Sequence, residues 1–251
     1  MSSDSARFGS PTRRLRVVGT SLGLGVAGFL VGIVVTVLLF SLLGGLGVPV
    51  RENVIVLYGV QIIGLQGVGL MATSLFYFQV RDRFSLVRIR RPTLRDVGLM
   101  LGGTFGIFIL FVGISVVYSL VGVQTPTTPI VEDGLQTPVL ALYLIPLTYL
   151  LVGPGEELLF RGAIQGLLGE AYPSGAAVVI ASAIFAIAHA GNVVGAPLEQ
   201  GVPYFLILFV LSLVLGALYE VSDNLLVPIF VHGTYNAVTF FQLYLRGSGV
   251  I

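Results

Sequence analysis

Cysteine and lysine are absent from this chain of 251 residues, and histidine occurs only twice. Without thiols there are no disulfides, no thiolate metal sites and no cysteine nucleophile, and the redox compartment leaves no mark on the sequence. Charge is scarce too. Only 10% of the residues are charged and 55% are hydrophobic, with a mean hydropathy of +0.99. A soluble globular domain carries roughly a quarter charged residues, so this composition belongs to an integral membrane protein in contact with the lipid bilayer. The 13 basic and 12 acidic residues nearly cancel, and a net charge of +1 gives no reason to expect nucleic acid as a partner.

What is present is a succession of apolar runs. Residues 1–16 are polar and contain Arg7, Arg13, Arg14 and Arg16, as expected of a cytoplasmic tail. Val17–Leu43 is long enough to span, follows that basic flank and lacks a clear small-residue cleavage site, so it reads as a retained signal anchor. Its Gly28 and Gly32 have the small-xxx-small spacing of close helix packing. Val54–Val80 forms a second span, in which Gln61 and Gln66 are expected to hydrogen-bond inside the bundle. Arg81–Asp96 carries Arg81, Arg83, Arg88, Arg90, Arg91 and Arg95, which places it with the N-terminus in the cytoplasm. The Phe84, Leu86, Val87 and Ile89 that alternate with those arginines suit a segment lying on anionic headgroups.

A third span, Val97–Val121, ends in the polar linker Gly122–Thr137, which has no positive charge and is placed outside. Pro138–Leu151 begins the fourth span, expected to be interrupted at Pro146 and broken at Gly153–Gly155. The remaining helices are one containing Glu156, then Ala176–Ala190, Tyr204–Tyr219 and Leu225–Leu245. The fold class is therefore all-α, a polytopic transmembrane helical bundle of seven or eight helices. Charge does not fix the topology after Pro154, because the later loops have almost no arginine.

The stretch Gly153–Leu168, GPGEELLFRGAIQGLL, puts two carboxylates and an arginine into hydrocarbon-like sequence. Ionised groups at membrane depth are costly and belong where they face a bundle interior or a cavity. In a helix Glu157 and Arg161 lie four apart and can pair, while Glu156, about 100° round, stays free to act. Both histidines also fall in apolar helices. His189 follows Phe185 by one turn, and Asn236 follows His232 by one turn on the same face.

These three elements, Glu156-Glu157-x-x-x-Arg161, Phe185-x-x-x-His189 and His232-x-x-x-Asn236, resemble the three motifs of the CPBP family. That is the CAAX-protease and bacteriocin-processing group of intramembrane endopeptidases, and the similarity covers Pro138 to Phe241. The resemblance divides the chain into the tail at 1–16, a variable N-terminal transmembrane region at 17–137 and a catalytic core at 138–245. It implies a cavity open toward the membrane and the cytoplasm, and a membrane-anchored protein or peptide substrate, with prenylated CaaX-type peptides as the family-level expectation. It implies roles as well. Glu156 and His189 activate a water, His232 and Asn236 form an oxyanion hole, and Glu157 and Arg161 support them.

The chemistry of the side chains is compatible. A desolvated carboxylate is a suitable general base, and asparagine and a histidine ring can both donate to a developing oxyanion. Three alternatives remain open. Zinc on Glu156, His189 and His232 would give the His2Glu set of a metalloprotease, but no H-E-x-x-H element is present, and no histidine would be left for the oxyanion; the metal-free mechanism, with no cofactor, is the reading adopted. A proton-coupled transporter would use the same groups as a relay, yet it predicts a matching broken helix in the first half, which the sequence lacks. A non-catalytic binding protein would have little need to keep so complete a polar set in the bilayer.

Overall fold

The computed structural model describes residues 10–251, and among them all regular structure is helical. Most of the expected tail at 1–16 lies outside the described residues. Its last part, Pro11–Arg16, is the opening of the first helix. Ser10 accepts a hydrogen bond from the Arg13 amide, and Pro11 occupies the first turn, where its missing N–H costs nothing. Eight α-helical rods follow: α1 Pro11–Gly45, α2 Val54–Arg81, α3 Leu94–Leu120, α4 Pro129–Gln136, α5 Pro138–Gly169, α6 Ser174–Ala188, α7 Leu198–Ser222 and α8 Leu226–Gly247.

The total agrees with the expected seven or eight, but two differences cancel within it. The linker contains a short helix, α4, started by Pro129. The two helices expected on either side of Gly153–Gly155 are one rod. Neither Pro146 nor the Gly-Pro-Gly triplet breaks α5, because π-helical turns at Thr148–Val152 and Leu158–Gln165 flank the α-helical Gly153–Glu157. Pro154 has no N–H to give to the preceding turn, and its ring crowds the carbonyl four residues back. A locally wider helix accommodates both problems without a break.

Five rods, α1, α2, α3, α5 and α7, are long and apolar enough to cross a membrane. With 15 residues α6 is shorter than these five though equally apolar, and α8 is diluted by His232, Thr234, Asn236, Thr239 and Gln242. The chain is thus an all-α, multi-pass membrane protein. Its centre is α5, which packs against α1, α2, α6, α7 and α8 and is buried throughout Leu158–Gln165.

Close helix approaches are made at glycines. A Cβ on Gly69 of α2 would stand 2.5 Å from Gly32 Cα, and one on Gly28 would stand 3.1 Å from Leu70, so the Gly28/Gly32 pair does form the α1–α2 contact. A Cβ on Gly155 would collide with the Gln66 carbonyl of α2. That contact brings the α2 backbone against the glutamate turn. The expected role of Gln61 and Gln66 is not observed: neither side chain makes a hydrogen bond among the described residues, and Gln66 Oε1 is buried without a partner. At Gln66 the backbone carbonyl makes the close contact.

The arginine-rich loop between α2 and α3 gathers several helix ends. Arg83 pairs with Glu170 at the end of α5, and Arg88 pairs with Glu220 and Asp223 at the end of α7. The Arg88 carbonyl accepts the Leu225 amide at 2.7 Å, just before α8. Tyr219 of α7 donates its hydroxyl to the Leu86 carbonyl and accepts from the Arg88 amide. The N-terminal end of α1 is on the same side, since Arg13 and Arg16 share a cavity with Arg81 and Arg83. The far end of α8 lies at the opposite pole, where Gly247 meets Pro138 and α4.

Candidate active site

Glu156 and Glu157 are neighbours in one buried turn, and their surroundings differ. Glu157 has both oxygens engaged. Oε2 accepts from Arg161 Nε at 2.9 Å and Oε1 lies 2.8 Å from His232 Nδ1. Arg161, itself completely buried, reaches on to Ser212 Oγ of α7 at 3.2 Å and lies over the Phe185 ring, 5.2 Å from its centre. These contacts form a fixed cluster in which each ionised group has a partner.

Glu156 is different. Its Oε2 is buried and has no hydrogen-bond partner, yet His189 Nε2 and His232 Nε2 each stand 3.9 Å from it. Two acceptors about 3.9 Å apart are at the spacing of groups that share one water at about 2.8 Å from each. The helix geometry of Gly153–Leu168 separates the two carboxylates as expected, one paired with Arg161 and one left available.

Each histidine is oriented through Nδ1. His189 caps the C-terminus of α6, and its Nδ1 is 2.8 Å from the Phe185 carbonyl. A carbonyl only accepts, so Nδ1 carries the hydrogen, and Nε2 is the ring nitrogen that faces Glu156. His232 is held on α8 by Glu157 in the corresponding way. The ring of Phe185 packs between them, 4.6 Å from the His189 ring and 6.1 Å from the His232 ring, and rests edge-on against Phe160. Gly233, beside His232, lets the Tyr149 ring of α5 approach to where a Cβ would be 2.7 Å away.

The structure therefore brings together Glu156, Glu157, Arg161, His189 and His232 from α5, α6 and α8. Asn236 is half-buried one turn beyond His232 on the same face, and its side chain hydrogen-bonds to no described residue. Sequence reasoning missed a polar ladder that continues from this centre. Along α5, Glu157, Arg161 and Gln165 repeat every four residues, and along α7 so do Ser212, Gly216 and Glu220. Gln165 Nε2 donates to the Gly216 carbonyl and to Glu220 Oε1, which also accepts from Arg88. The signal was available in the sequence as three polar residues at helical spacing in an otherwise apolar helix.

Zinc does not fit these positions. Among the described residues no three His, Asp or Glu side chains form a group that could hold a metal ion. Tetrahedral zinc with bonds of about 2.0–2.1 Å needs donors about 3.3 Å apart, and Glu156 Oε2 is 3.9 Å from each Nε2.

The fold and the centre define a polytopic membrane protein with glutamate and histidine converging inside its bundle, the architecture of an intramembrane endopeptidase. Residues 138–238, which contain every side chain of the centre, match the family described as Type II CAAX prenyl endopeptidase Rce1-like. The chain is accordingly a membrane endopeptidase of the glutamate and histidine type. No curated protein and no solved structure matches it.

Proposed function

We propose that Glu156 and His189 together activate the water that cleaves the peptide bond. The observation that carries this reading is the contrast between the two carboxylates, with Glu157 fully engaged and Glu156 Oε2 unpartnered near two imidazole nitrogens. A water there donates one hydrogen to Glu156 Oε2 and the other to His189 Nε2, which leaves its lone pairs turned toward a substrate carbonyl. As the oxygen–carbon bond forms, Glu156 takes the proton. It returns that proton to the leaving amine when the tetrahedral intermediate collapses, so the products are a carboxylic acid and an amine.

The oxyanion is met by the side-chain amide of Asn236 and by His232 Nε2–H. Because His232 gives Nδ1–H to Glu157, donation from Nε2 requires the doubly protonated ring, whose charge the flanking carboxylates offset. Glu157 and Arg161 act as positioning residues. No step passes through a metal.

Residues 138–245 serve as the catalytic core and 17–137 as the variable transmembrane region. The substrate class is a membrane-associated peptide, with a prenylated CaaX-type C-terminus as the form the family's name suggests. The eight helices less the short α4 give seven passes through the cell membrane, with the arginine-bearing side and the N-terminus cytoplasmic. The test is cleavage of a fluorogenic lipidated peptide library in liposomes by the wild type and by Glu156→Ala. Cleavage that disappears in the variant supports the mechanism, and equal cleavage by both proteins overturns it.

A further inference from the structure

Apart from the catalytic centre, an unbalanced charge stands out among the described residues, in a cavity of about 390 Å³ at the arginine-bearing end. Arg13 and Arg16 reach it from α1, Arg81 and Arg83 from the end of α2, and Glu170 from the end of α5. The single carboxylate is already bonded to Arg83. Arg13, Arg16 and Arg81 have no acidic partner among the described residues, so three positive charges converge there unmatched. Setting topology needs arginines on one side of the bilayer, but it does not need them drawn from two helices into one concavity.

The remaining wall is mostly apolar or amphipathic, made by Val17, Tyr77 and Leu167 with the hydroxyl-bearing Thr20. Next in sequence to lining residues, Phe76 and Val80, one turn apart on α2, are 70% and 60% exposed, and Leu15 of α1 is 73% exposed. These side chains continue into helices that cross the hydrocarbon. A ligand suited to this place has a compact anionic group for the guanidinium cluster and a long apolar body for the helix faces below it. Guanidinium forks match phosphate oxygens in geometry as well as charge.

We propose that this cavity is a binding site for the phosphate headgroup of an anionic phospholipid of the arginine-side leaflet, with acyl chains lying along the exposed α1 and α2 faces. Basic pockets between helices at a membrane surface bind anionic headgroups by this combination of field and shape. The site abuts the end of α5, the helix that carries both glutamates, so a bound lipid bridges Arg13 and Arg16 of α1 to the α2–α5 ion pair.

The test uses the full chain in bilayers of equal parts phosphatidylglycerol and phosphatidylcholine, extracted gently and weighed by native mass spectrometry. The wild type is expected to retain phosphatidylglycerol selectively. The triple variant Arg13→Gln, Arg16→Gln, Arg81→Gln is expected to lose that retention by more than about tenfold. A charge-matched control, Arg51→Gln, Arg91→Gln, Arg246→Gln, is expected to keep it; all three control positions lie outside the cavity lining. Equal retention of both lipids by the wild type, or equal loss in the two variants, overturns the proposal, because net charge alone would then explain the binding. Soluble glycerol phosphate forms the last arm. Displacement of the lipid by it at matched concentration would make this a site for free phosphate esters and overturn the lipid assignment. The readout is bound mass, independent of peptide cleavage.

Discussion

Replacing Glu157 by glutamine leaves the buried Arg161 guanidinium facing a neutral amide and removes the anion that holds His232. Breaking a buried pair from one side costs about 3–5 kcal/mol, so Glu157→Gln is expected to lower the melting temperature steeply as well as activity. Glu156→Gln breaks no hydrogen bond of the resting protein. It should melt with the wild type and lose at least about a hundredfold in kcat, the usual scale of a general base. Parallel melting curves and steady-state kinetics separate the two roles. Unchanged turnover in Glu156→Gln would remove Glu156 as the base.

The same assignment sets a pH profile. His232 must hold both protons to donate from Nε2, so activity falls on the alkaline side. In His232→Gln the amide donates at any pH. That variant is expected to lose its alkaline limb along with about two to three orders of magnitude in kcat/KM. Retention of the alkaline limb would mean that another group produces it.

At the scale of helices, the glutamate turn is held by how closely α2 approaches α5. Adding a methyl at Gly155 drives it into the Gln66 carbonyl, which cannot rotate away as a side chain can. Gly155→Ala should therefore displace the turn and lower both stability and kcat, whereas Gly23→Ala, which has nothing within 4 Å of the added carbon, should be close to neutral in both. This close approach also explains what sequence could and could not reveal. The pairing of Glu157 with Arg161 and the availability of Glu156 were legible because both follow from the 3.6-residue period of a single helix. The continuity of α5 through Gly153–Gly155 was not. Glycine and proline are local signals for a break, and the reasons they are helical here, the Gln66 carbonyl and the flanking π turns, come from a partner helix and from a widened backbone that no local pattern marks. The convergence of His189 and His232 on Glu156 is similarly a property of three packed helices; their spacing relative to Phe185 and Asn236 gave only a helix face.

For the whole molecule, charge counting in the later loops left their sidedness open, and the structure supplies it through the partners of one loop. Leu86 and Arg88 bind Tyr219, Glu220, Asp223 and Leu225, so the α7–α8 turn must share a side with the arginine-rich loop. The segment that starts α8 is pinned there, and Gly247 at its other end contacts Pro138 and α4 across the bundle. Pro11 and Gly247 accordingly lie at opposite ends of the bundle. The absence of cysteine makes this directly measurable, since a single introduced thiol has no background. Ser85→Cys and Val221→Cys should react with a membrane-impermeant maleimide only when the cytoplasmic face is opened, and Gln124→Cys and Ser248→Cys should react in intact cells. If Ser248→Cys were labelled together with Ser85→Cys, α8 would have to return to the arginine side, and the proposed seven-pass arrangement, with His232 of α8 placed near the face on which α5 and α7 end, would be wrong.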